Sequence, residues 1–232
     1  MSFSLKSIKH KKMSKTAIAR FTKGEEIANA ISHGLGWVFS IVATVLLIVT
    51  ASRHGKAIGI VSAAVFGASM INLYMSSTMN HSLRFGTKAK DFFHNYDQIA
   101  IYLLIAGSYT PIALVGIQGQ WGWTMFGLEW GLALIGLIVK LFLPNRFEKG
   151  VNIVTVASFI LMGWMLLFFL IPLSNNLSST GMWLLLSGGF AYTFGVIFFK
   201  LEGKLPYAHL IWHIFVIGGT VCHWCLIQFC IL

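Results

Sequence analysis

Apolar residues run along this chain in blocks of about 20, and the polar residues gather in the short gaps between them. Blocks of that length match a hydrocarbon core of roughly 30 Å at 1.5 Å per helical residue. With no water inside a bilayer to satisfy backbone groups, such blocks must be helices. Hydropathy and helix breakers together predict seven of them, over 27–50, 57–79, 96–117, 123–143, 151–173, 181–199 and 208–230. The gaps hold the expected punctuation: Arg53-His-Gly-Lys56, the polar stretch 82–95, Gln118-Gly-Gln120, Pro144-Asn-Arg146, Ser174–Ser179 and Glu202–Pro206.

Composition agrees with this pattern. The 232 residues are 56% hydrophobic, 14% aromatic and only 10% charged, which excludes a water-soluble globule. The expected class is an all-α integral membrane protein, with residues 1–24 as a basic cytoplasmic tail and 25–232 as one seven-helix transmembrane domain. The first apolar block is too long for the core of a secretory signal and no small-residue cleavage site follows it, so the tail is expected to stay attached.

The net charge of +10 does not point to nucleic acid, because the basic residues sit at the ends of apolar blocks and never interleave with an aromatic reading surface. They read instead as topology signals. Seven precede Gly24, from Lys6 to Lys23, and their side of the membrane continues with Arg84, Lys88, Lys90, Lys140, Arg146, Lys149, Lys200 and Lys204. The other side has only Arg53 and Lys56. The excess predicts a cytoplasmic N-terminus and an extracytoplasmic C-terminus in a cell membrane. The tail is expected either to be mobile against the anionic inner leaflet or to form an amphipathic surface helix around Met13 to Phe21. Cys222, Cys225 and Cys230 all fall in the last block, which gives no disulfide framework and no second pair for a Cys-based zinc site.

The predicted topology brings distant polar residues to one depth. His81 closes the second helix, Asp97 opens the third, and His209 and His213 open the seventh, so all four fall near the cytoplasmic boundary. His209 and His213 are four apart and share a helix face, a spacing that suits one metal ion, and a third histidine from another helix completes three nitrogen ligands for zinc. Asp97 is expected either to ligate directly or to hydrogen-bond the metal's water. Ser77, one turn before His81, is placed to bond a ligand or a substrate carbonyl. Glu26, Asn29 and His33 share a face of the first helix at the same level; they read either as groups supporting the ligands from behind or as a hydrogen-bonded helix start. His223 is ten residues beyond His213, about 15 Å along the axis, and cannot share that ion.

GEEIANAISHGLGW, SSTMNH, YDQIAIYLLIAGSYTPIAL, MGW at 162–164 and HLIWHIFVIGGTVCH, in this order, resemble the hemolysin III branch of the progestin and adipoQ receptor family, from about residue 24 onward. The resemblance implies an adiponectin-receptor-like seven-helix fold with its N-terminus inside and a zinc ion at the cytoplasmic end. It implies that His81, His209 and His213 hold the zinc and that Asp97 holds the metal's water. Asn80, Gln98 and Ser32 stand where many members have other residues; no ligand is lost.

The family's ceramidase-like relatives imply a membrane-lipid partner and a lipid amide as the bond attacked, with Asp97 as base and Ser77 polarising the carbonyl. A zinc that merely pins helices, a membrane regulator and a cytolytic protein are the alternatives. Little favours a pore: no charged ring lines a block, and Glu129 is the only acid near the interior of any helix or, equally, lies at the outer interface after Trp121 and Trp123.

Overall fold

The computed structural model describes residues 21–142 and 150–232, with side chains described from Ile153 onward in the second part. All described regular structure is helical. The elements are α1 (Lys23–Arg53), α2 (Ala57–Ser82), α3 (Lys88–Pro111) continued by a π turn (Ile112–Ile117), and α4 (Gly119–Phe142). They continue with α5 (Gly150–Gly163), a 3₁₀ segment (Met165–Phe169), α6 (Leu170–Asn176), α7 (Ser179–Lys200), and α8 (Ala208–Leu226) with a terminal π turn (Ile227–Ile231). Seven of the resulting spans are long and apolar enough to cross a membrane. The tail before Phe21, the surface helix considered there and the Pro144–Arg146 connection lie outside the described residues.

The helices are amphipathic in the sense that suits lipid. On α1 the large side chains Ile31, Leu35, Val38, Val42, Val45 and Val49 face outward, while Asn29, His33, Gly36, Ser40, Ala43, Leu47 and Ala51 face the bundle. Lipid tails are as apolar as leucine, so burial of apolar side chains gives no drive for helices to associate; close packing through small residues and polar contacts does. Gly107 of α3 lies against Ser69 of α2, Gly136 of α4 against the Tyr102 ring, and Gly219 of α8 against Tyr192 of α7, so close that a Cβ would collide; Gly218 faces open space.

Consecutive spans pack as neighbours, and α1 packs on α8 to close the ring. The spans of α2 and α3 are the most buried, and Phe66, Met70, Tyr74, Tyr109 and Ile112 form the middle of the core.

Two boundaries differ in kind from the expectation. The third helix begins at Lys88, two turns before Tyr96, because Thr87 caps it by accepting from the Lys90 N–H at 3.2 Å and Asp91 sits in the first turn. The stretch 82–95 is therefore mostly helix, and Asp97 lies well inside α3 instead of opening it. The fifth span is broken, with α5 giving way to 3₁₀ geometry after Gly163. Trp224, half-buried near the end of α8, donates its indole N–H to the Ala43 carbonyl at 3.2 Å.

On α4 a Cβ at Gly122 would run into the backbone carbonyl of Ala113, whereas one at Gly127 would meet nothing within 4 Å. Gly122→Ala is expected to destabilise by about 1–3 kcal/mol, as overpacking does. Gly127→Ala is expected to be neutral or stabilising by up to about 1 kcal/mol. Thermal unfolding of the two variants in detergent checks the pair.

Candidate metal centre

Three imidazoles meet at the end of the bundle where α2 finishes and α8 starts. His81 is in the last turn of α2, and His209 and His213 lie one turn apart at the head of α8. One ring nitrogen from each can be chosen so that all three lie within 4.8 Å of one another. The turn before α8 uses two residues in the left-handed region, Gly203 (φ 72°) and Tyr207 (φ 56°), and returns Glu202 to the side of His209.

Each ring is held from behind through Nδ1. His81 Nδ1 lies 2.6 Å from Glu26 Oε2, and His209 Nδ1 is paired with Glu202 Oε1. His213 Nδ1 lies 3.0 Å from Ser32 Oγ, and Ser32 donates its single hydroxyl proton to the Asn29 carbonyl at 2.9 Å. Ser32 can only accept from His213, so His213 carries its proton on Nδ1. The carboxylates behind His81 and His209 demand the same tautomer, which leaves an Nε2 lone pair on all three rings.

His81 Nε2 and His209 Nε2 then face each other at 3.1 Å. Two lone pairs at that distance repel unless a proton or cation lies between them. Nitrogen ligands of one tetrahedral zinc at roughly 2.0–2.1 Å stand about 3.3 Å apart, so the donor set fits that ion.

Charged neighbours fix the supports in turn. Glu26 shares its other oxygen with Lys90 Nζ at 3.2 Å, and Lys90 also donates to the Asn80 carbonyl. The preceding Glu25 completes the capping box with Thr22 and accepts from the Tyr207 N–H at 2.9 Å. One pair of glutamates thus joins the start of α1 to α2, α3 and the head of α8.

Asp97 and Ser77 line a cavity beside the histidines together with Asn80, His81, Gln98 and Glu202. Asn80 donates to Asp97 Oδ2 at 3.3 Å and Ser77 is in hydrogen-bonding reach of the same carboxyl. Gln98 accepts from Lys140 of α4. The cavity has about 120 Å³ of water-accessible space, room for several waters or a small polar group. An apolar cavity adjoins it, the two sharing Leu73, Ile101, Phe159 and Val216 among their walls. Phe21 joins the lining, with its ring 5.0 Å from that of His209 and 6.0 Å from that of His81.

The sequence-expected residues divide accordingly. His81, His209, His213, Asp97 and Ser77 come together. Glu26 supports a histidine directly. Asn29 contributes only its carbonyl, its side chain having no partner among the described residues, and His33 stacks on His213 at 3.5 Å between ring centroids without a hydrogen bond to either nitrogen. Ser32, Glu202, Lys90 and Phe21 were missed. Glu202 and Lys90 read as loop and topology residues, and Ser32 is off the Glu26–Asn29–His33 face.

A model of the haemolysin-III related family matches residues 21–224. The chain is 45% identical over 217 residues to Hemolysin-3 of Bacillus cereus, covering 94% of each chain. It is 42% identical over 212 residues to the Hemolysin-3 homolog of Bacillus subtilis, covering 91% of this chain and 97% of that one. It is 28% identical over 204 residues to the human Monocyte to macrophage differentiation factor, covering 86% and 82%.

Glu202→Gln keeps the shape of the support behind His209 but removes its charge. Zinc affinity, measured by competition with a chelator, is expected to fall roughly 10- to 100-fold, the usual effect of losing such a partner. His209→Ala is expected to abolish stoichiometric binding.

Proposed function

The chain belongs to the haemolysin-III related family and is a polytopic membrane protein, for which we propose the activity of a zinc-dependent hydrolase acting on lipid amide bonds at the cytoplasmic end of the bundle. The observation that carries this reading is the cavity. A carboxylate, Asp97, and a hydroxyl, Ser77, open onto the same space as the three histidines, and an apolar chamber between α3, α5, α7 and α8 adjoins that space. A metal serving only to pin helices would not need such a chamber beside it.

His81, His209 and His213 would hold the ion, which supplies a Lewis acid for a carbonyl oxygen and makes water a stronger acid. The remaining steps belong to side chains of the chain. Glu26, Glu202 and Ser32 keep the imidazoles in one tautomer and orientation. Asp97, steadied by Asn80, is the base: its carboxylate takes the proton from the attacking water and returns it to the leaving amine. The Ser77 hydroxyl donates to the carbonyl oxygen where negative charge develops. The apolar chamber, walled by Ile105, Val156, Ile160 and Val196, accepts an acyl chain and keeps bulk water from the polar end. The excess of Lys and Arg on one side supports a position for this end in the cytoplasmic leaflet.

Zinc-replete purified protein is expected to release fatty acid from ceramide-like amides. Asp97→Asn is expected to lower the rate roughly 100- to 10,000-fold with zinc content unchanged, and Ser77→Ala to lower it while leaving zinc in place. Fatty-acid release measured by mass spectrometry beside metal analysis of each variant checks this. A zinc-replete wild type that cleaves no such amide, together with a His213→Ala protein that behaves as wild type in cells, overturns the reading.

A further inference from the structure

Glu129 takes no part in the histidine site. It stands ten residues into α4, about 15 Å along the axis from Gly119, and so near the middle of the span. Its side chain is 0% exposed, and neither carboxyl oxygen has a hydrogen-bond partner among the described residues. It lies on the inward face of α4, between Gly122, which meets the Ala113 carbonyl, and Gly136, which meets Tyr102. Of the two placements the sequence left open, the helix interior holds and the outer interface is corrected.

Two helix breaks meet at this depth. Trp130, the next residue, donates to Thr110 Oγ1 at 3.0 Å, which sets Glu129 level with the end of α3. There Pro111 has no N–H to give the Gly107 carbonyl, and the helix widens into the π turn Ile112–Ile117. Tyr109 reaches from the same turn into the break in the fifth span. Its hydroxyl donates to the Gly163 carbonyl at 2.8 Å and accepts from the Leu166 N–H at 3.2 Å. In an unbroken helix that N–H would serve the Met162 carbonyl. The carbonyls of Gly107 and Met162 therefore both lose the donor that a regular helix would give them, one at each break.

No cation among the described residues faces Glu129. The titratable group that approaches it from α3 is Tyr109. The π turn, α5 and the 3₁₀ segment, which also pack on α4, contain no acidic or basic residue. Tyr102 lies two turns away and is bonded to Ser158 at 2.7 Å. An unpaired carboxylate in hydrocarbon is costly, and binding a proton is the simplest relief. A metal ion would need several oxygen ligands at once, whereas the Tyr109 hydroxyl is already committed to Gly163 and Leu166. Tyr109, the titratable neighbour of the carboxyl, also lines the apolar cavity with Gly163.

We propose that Glu129, set between the broken turns of the third and fifth spans, is a mid-membrane proton-binding site that exchanges its proton past Tyr109. It is independent of whatever the histidines hold. The test is modification of the full-length protein in detergent by dicyclohexylcarbodiimide, which reacts with protonated carboxyls in apolar surroundings, mapped by mass spectrometry across a range of pH with either sodium or choline as the cation. Glu129 is expected to be labelled, with labelling that falls along a single titration as pH rises and is the same in both salts; Glu129→Gln gives no label on that peptide. Absence of labelling at every pH overturns the proposal. So does labelling that does not change with pH, which describes a permanently neutral structural acid, and so does protection by sodium, which assigns the site to a metal cation. The wild-type measurement stands even if the glutamine variant fails to fold.

Discussion

An imidazole or carboxylate is tolerated inside a bilayer when another group holds it, and at the polar end of this bundle that requirement is met across helices. The histidines are on α2 and α8, while the oxygens behind them come from α1 (Glu26 and Ser32) and from the connection after α7 (Glu202). These hydrogen bonds span α1 with α2, α1 with α8, and α7 with α8, the contacts that close the ring. Orienting the imidazoles and closing the bundle are therefore one constraint: a shift of α1 that loosened the ring would also turn His81 and His213.

That coupling explains why the inward faces carry so much polarity. Along α1, Asn29, His33 and Ser40 are buried while valine and isoleucine meet lipid. In a soluble protein the order would be reversed. Small residues then let the backbones approach: the Tyr74 ring lies against Gly36 on α1 and its hydroxyl donates to Thr220 on α8 at 2.8 Å. One side chain thus joins α2 to α1 and α8 just beneath the histidines.

How much of this was legible depended on whether a residue's role followed from its position along a helix. The seven spans follow from hydropathy, since a bilayer fixes helix length. The depth of His81, His209, His213 and Asp97 follows from alternating helix direction, and their proximity is a consequence of it. Glu202 and Lys90 were not legible, because their roles come from a turn that folds back at Gly203 and from a helix start hidden in a charged stretch, where charge reads as water-facing. Ser32 was hidden by its own modesty: a serine one residue before His33 reads as spacing until His213, 181 positions away, arrives beside it. The break in the fifth span has little sequence signature beyond Gly163 and Pro172, since its cause is a hydroxyl from another helix.

That break also accounts for the cavity. With lipid on all sides no hydrophobic force collapses a gap between helices, so a gap persists where polar anchors hold its walls apart. The fifth span has two such anchors at one level. Tyr109 fixes it to α3 through Gly163 and Leu166, and Trp164 donates its indole N–H to Thr193 of α7 at 3.0 Å, its ring edge-on to Phe190 at 5.1 Å. Gly163, Trp164 and Thr193 all line the apolar chamber. A regular helix through 160–170 would give the Leu166 N–H back to Met162 and leave Tyr109 without its donor partner. The irregular backbone and the open chamber are thus held by the same two side chains, and the fold could not lose the one and keep the other.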